Sequence, residues 1–122
     1  MKTHTLKLRW TVSKAKDSYG YNVLTLLDGD DKYKTSGGGY DMQGTVFANW
    51  LQAKFFPKII EICRPKKDEF YGYYDTSYGQ YLSGACGLDC MIKIAKAIGL
   101  GVQQVYCPKI RNLEFIIVTE PE

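Results

Sequence analysis

Ser36-Gly37-Gly38-Gly39-Tyr40-Asp41-Met42-Gln43-Gly44-Thr45-Val46-Phe47 is where this chain changes its periodicity. Before the glycines, Leu6, Leu8, Trp10 and Val12 alternate with Lys7, Arg9 and Thr11, the signature of a half-buried strand. After them, Val46, Phe47, Trp50, Leu51 and Phe55 recur at helical spacing, which gives a helix starting near Asp41 a wide apolar stripe. A glycine turn running into an aspartate can cap such a helix, and it can also expose backbone N–H groups to an anion.

The same device recurs at Ser83-Gly84-Ala85-Cys86-Gly87-Leu88-Asp89. It opens a second helix with a stripe of Leu88, Met91, Ile92, Ala95 and Ile98, opposed by Lys93 and Lys96 and stopped by Gly99. Working outward, a polar connection from Ser13 to Ser18 leads to a second strand, Tyr19–Leu27. Asp28-Gly29 is a hairpin signal, and Lys32–Thr35 reads as a short third strand completing an antiparallel meander. Pro57 must stop or kink the first helix, and Lys58–Ile62 reads as a further short helical piece. Val102–Cys107 and Leu113–Val118 read as closing strands joined through Pro108–Asn112, the second apolar enough to be central. The class predicted is α+β: a single antiparallel sheet of about five strands with two helices packed on one face. The element order is β-β-β-α-(Tyr-rich hairpin or loop)-α-β-β, in one domain over residues 1–122.

A chain of 122 residues with 45% apolar and 24% charged residues can bury one real core. No apolar run is long enough to cross a bilayer, and Met1 to Thr5 lead into a strand pattern without a signal-peptide core, so a cytoplasmic location is expected. The net charge of +3 permits contact with phosphate without demanding it. Cys63, Cys86, Cys90 and Cys107, without a secretory signal, do not imply disulfides.

Catalytic chemistry finds little support. The one histidine, His4, sits at an end expected to fray, and nothing near it in sequence builds a nucleophile pair. Nucleophile-elbow and P-loop spellings are absent, and Asp30-Asp31 and Asp68-Glu69 read as turn or loop residues. The expectation is a non-enzyme with no catalytic residue and no cofactor. Cys86 and Cys90 could share a helix face if that helix starts early enough, but a zinc site calls for two closely spaced pairs, so no metal is expected.

Binding is better supported. Tyr71, Tyr73, Tyr74 and Tyr78 lie in an aromatic run from Phe70 to Tyr81, beside a basic loop holding Arg64, Lys66 and Lys67. Phenol rings stack on bases while such cations hold phosphates, so nucleic acid or a nucleotide is one partner this pattern suits. The same mixture suits a protein interface, as in a homodimer or a binder of a host complex, and alternating tyrosines can also simply cover a sheet. Gly37, Gly38 and Gly39 are a candidate anion contact. Finally, Lys7 and Arg9 point away from the core side of the first strand, and Lys14, Lys16, Lys32 and Lys34 lie on adjacent strands or turns. Aligned, they would make a positive stripe, although strand lysines also guard edges.

Thr35 to Val46, followed by Trp50-Leu51, resembles a segment of small proteins encoded by tailed bacteriophages and prophages. Gly84-Ala85-Cys86-Gly87-Leu88-Asp89-Cys90-Met91 is similar to a second segment of that group, as are Trp10–Val12 and Tyr19–Asn22. The resemblance implies a phage accessory protein made in the host bacterial cytoplasm, and it carries no activity or site residue with it.

Overall fold

A computed structural model describes residues 2–12, 22–37, 42–63, 74–75, 81–82, 87–109 and 112–121. The strands are β1 (Thr3–Val12), β2 (Asn22–Asp28), β3 (Asp31–Gly37), β4 (Tyr74–Asp75), β5 (Tyr81–Leu82), β6 (Gly101–Tyr106) and β7 (Leu113–Thr119). The helices are α1 (Met42–Cys63) and α2 (Leu88–Ala97). The main sheet is five-stranded and antiparallel in the order β3-β2-β1-β7-β6, and β4 and β5 form a separate two-stranded ladder. This is the predicted α+β arrangement.

Alternation along the strands decides what the sheet buries. Leu6 and Leu8 of β1, Leu24 and Leu26 of β2, and Ile116 and Val118 of β7 all point to one face and are buried. Onto that face α1 brings Val46, Phe47, Trp50 and Leu51, and α2 brings Leu88, Met91, Ile94 and Ala95. In α2 the buried stripe runs through Ile94, and the predicted Ile92 is only half-buried at its edge. The register between β1 and β7, Thr3 with Thr119 through Lys7 with Phe115, joins the three-strand meander to the β6–β7 pair. β7 is therefore an interior strand, as its apolar run required, and β1 is the middle one.

Pro57 kinks α1 without ending it. The break falls at Phe55 (φ −129, ψ 20), and helix resumes through Cys63. Pro57 then lies in the first turn of the resumed segment, where a missing N–H costs nothing. The start of α2 departs from expectation. Its N-cap is Gly87, with no side-chain hydrogen bond to the cap, and Asp89 lies inside the first turn. There its charge favours the positive end of the helix dipole. Helix α2 ends as predicted at Gly99 (φ +95), where the Gly99 N–H donates to Lys96 and the Leu100 N–H donates to Ala95. That pair of bonds needs a left-handed residue at Gly99, which glycine adopts without strain.

The expected fraying of His4 is overturned. It lies within β1 opposite Val118, its side chain is only 11% exposed, and its Nε2 lies 2.7 Å from Glu120 Oε2. A strand that starts at Thr3 and pairs with β7 leaves no loose end at this position. Among the described residues no helix is long and apolar enough to cross a membrane.

Candidate nucleic-acid interface

Both helices cover one face of the sheet, so the residues between the buried positions define an opposite face, open in the sense that no described element lies over it. The registers place them in rows. One row runs Lys34–Thr25–Arg9, and the next runs Lys32–Leu27–Lys7–Phe115–Val105. A third carries Thr5, Ile117 and Gln103. Lys7, Arg9, Lys32 and Lys34 are all exposed. The cations thus stand two by two, about 7 Å apart along the strands and about 10 Å apart across them at their Cα positions.

The register-paired rows of this face hold no carboxylate among the described residues. Asp28 and Asp31 pair with each other at the helix-covered side of the β2–β3 turn. The Asp28 carboxylate accepts a 2.8 Å hydrogen bond from Trp50 Nε1, and Asp31 accepts one of 3.2 Å from Lys54. That bond from Lys54 to Asp31 is the main reason the Lys54 ammonium titrates above its ordinary value. Glu114 is the extra residue where the register slips, between the pairs Val105–Phe115 and Tyr106–Leu113. Glu120 is held by His4. Asp28 and Asp31 thus fall on the helix side, and the paired rows of the opposite face carry cations without an acid among the described residues.

Packing supports this surface. Thr25 is only 2% exposed although it points outward. Its lateral neighbours in the register are Arg9 and Lys34, both exposed. Phe115 and Ile117 are half-buried on the same face. At the β3 edge, an open groove of ≈ 720 Å³ is lined by Tyr33, Lys34, Asn49, Gln52, Ala53 and Phe56, so Lys34 borders both the groove and the face.

The predicted site residues divide. Lys7, Arg9, Lys32 and Lys34 are brought onto one surface, whereas Lys14 and Lys16 lie outside the described residues. Arg64, Lys66, Lys67, Tyr71, Tyr73 and Tyr78 also lie outside them, and Tyr74 is described only as backbone, paired with Leu82. Gly37 ends β3 opposite Asn22, while Gly38 and Gly39 fall outside the described residues. The early helix start that would let Cys86 and Cys90 share a face is not seen, since α2 begins at Leu88, and Cys86 lies outside the described residues. Among the described residues no three of His, Cys, Asp and Glu converge as metal ligands would.

Sequence reading missed Phe115, Ile117 and Val105 as outward residues. The run Leu113–Val118 that holds Phe115 and Ile117 is apolar at every position but Glu114, and the adjacent pair Gln103-Gln104 breaks alternation before Val105, so periodicity alone could not separate the two faces. The bulge at Glu114, which sets the phase, carries no glycine to announce it. No protein-family model, curated protein or solved structure matches this chain.

Proposed function

We infer that the chain is a non-catalytic module that binds single-stranded nucleic acid across the open face of its sheet. The observation that carries this reading is the two-by-two set of Lys7, Arg9, Lys32 and Lys34 in register-paired rows that include no acid among the described residues. Cations so placed suit the sugar–phosphate backbone, and Phe115, next to Lys7, offers a ring edge to an unstacked base. The groove beyond Lys34, with Tyr33 and Phe56 on its walls, is a second place for a base to leave the strand.

Dimensions favour a single strand over a duplex. Five strands span about 19 Å, whereas the major groove of B-DNA is about 12 Å wide and admits only a helix or a two-stranded ribbon. On the sequence pattern, Tyr71, Tyr73, Tyr74 and Tyr78 with Arg64, Lys66 and Lys67 are a second proposed contact, in the phage accessory setting that the resemblance implies.

The test is a titration of a fluorescently labelled random-sequence single-stranded oligonucleotide over a series of salt concentrations. The label belongs on the strand, since Trp10 and Trp50 both face the helix side of the sheet. Binding should weaken linearly in log–log form. Replacing Lys32 and Lys34 by alanine should reduce the steepness by about 1.4, roughly 0.7 for each phosphate no longer neutralised. An unchanged slope in that variant would remove this face from the site.

A further inference from the structure

The two edges of the main sheet are defended unequally. Edge β3 carries Asp31, Lys32 and Lys34, and Asp31 is tied to Lys54. Edge β6, Gly101-Val102-Gln103-Gln104-Val105-Tyr106, carries no charge and no proline. Its Tyr106 is 52% exposed. Natural sheets guard their edges because an unguarded strand offers a row of unpaired backbone groups to another strand.

Which groups are on offer follows from the ladder. The Glu120 N–H donates to the Lys2 carbonyl at 2.8 Å, so at Glu120 the backbone points toward β1. Alternation then turns Ile116 and Val118 toward β1, and Phe115, Ile117 and Thr119 toward β6. Their partners Val105, Gln103 and Gly101 spend their backbone groups on β7. Val102, Gln104 and Tyr106 are left with N–H and C=O directed away from the sheet, where no described strand pairs with them.

We propose that β6 pairs antiparallel with β6 of a second copy, joining two sheets into one of ten strands. A two-fold axis normal to the sheet preserves faces, so only residues of equal parity can oppose one another. Centring the axis on Gln104 sets Gln104 against Gln104 of the second copy, Val102 against Tyr106 and Gln103 against Val105. The Val102–Tyr106 and Gln104–Gln104 pairs are the ones with outward backbone groups, so each exchanges two hydrogen bonds. The exposed Tyr106 ring gains a β-branched neighbour, a favourable cross-strand pair. Centring on Gln103 would oppose Tyr106 to Leu100, outside the strand and buried, and would leave the ring uncovered. The axis keeps both open faces on the same side, with the two middle strands about 24 Å apart.

Sedimentation equilibrium without nucleic acid tests the proposal independently of the ligand reading. The mass should rise with protein concentration from that of one 13.9 kDa chain to twice that value. Gln104→Pro removes an outward donor without touching the β7 ladder, so it should remain a monomer at every concentration while its unfolding midpoint, measured at monomeric concentration, stays near that of the parent. Gln104→Cys should form a homodisulfide under mild oxidant, mapped by mass spectrometry, because a hydrogen-bonded antiparallel pair sets Cα atoms about 5.5 Å apart. A parent that stays monomeric, or a dimer that survives Gln104→Pro, would overturn the proposal.

Discussion

Replacing Trp50 by alanine should destabilise the fold by about 3–5 kcal/mol and lower the melting midpoint by roughly 10–20 °C. Trp50 is fully buried and joins four parts of the molecule. It stacks on Phe47 one turn earlier in α1, at 5.8 Å between ring centroids. It meets Phe55 at the kink edge-on at 5.6 Å, and His4 of β1 edge-on at 5.3 Å. Its indole N–H donates to Asp28 at the end of β2. Two milder substitutions separate ring from donor. Trp50→Phe keeps an aromatic ring but strips the half-buried Asp28 carboxylate of its donor, for about 1–3 kcal/mol. Trp10→Phe should cost less than about 1 kcal/mol, because an orphan donor disappears with the lost ring area. The Trp10 N–H is buried and has no partner among the described residues. Urea unfolding of the three variants, at constant m-value, gives the comparison. Equal losses for Trp10→Phe and Trp50→Phe would mean that the bond to Asp28 contributes nothing.

Reversing charge in the middle of the open face should abolish most nucleic-acid affinity. Lys7→Glu combined with Arg9→Glu places two carboxylates on the central strand, facing the lysines of β3 across β2. The binding constant for a single-stranded oligonucleotide should fall by roughly 100-fold or more at low salt, since two phosphates lose their cations and meet like charge instead. Both side chains are exposed, so the unfolding midpoint should hardly move. The control is Lys93→Glu with Lys96→Glu on α2, which changes net charge equally on the other side of the molecule. It should cost less than about threefold, because charges beyond a Debye length are screened. Equal losses in the two variants would mean that binding follows net charge and that no particular face is used.

The fold was legible because its signals are local. Alternation in β1, the Asp28-Gly29 turn, the stripes of both helices and the stop at Gly99 each follow from spacing and backbone preference. Strand order was not, because the pairing of β1 with β7 depends on residues at opposite ends of the sequence. The same long-range pairing holds His4 in place, which no local pattern announces. For the binding surface, Lys7 and Arg9 were legible as outward residues, whereas for Lys32 and Lys34 only an adjacent strand or turn was legible, without a side. Their alignment depends on the β1–β2 and β2–β3 registers, and so does the absence of Asp28 and Asp31 from their rows.

The β1–β7 junction also orders events during synthesis. The β1–β2–β3 meander can form as soon as Gly37 has emerged, and β6 with β7 is a local hairpin. The ladder that unites them pairs Thr3 with Thr119 and is extended by the His4–Glu120 contact, 116 residues apart, so the chain must emerge through Glu120 before it can close. Pairings of such separation are slow, because the loop entropy is spent before any stabilising interaction forms. Until then β1 is itself an outer strand, with Leu6 and Leu8 uncovered on one side. The interval between emergence of α1 and arrival of β7 is therefore when a nascent chain of this protein is most exposed to aggregation and most dependent on chaperones.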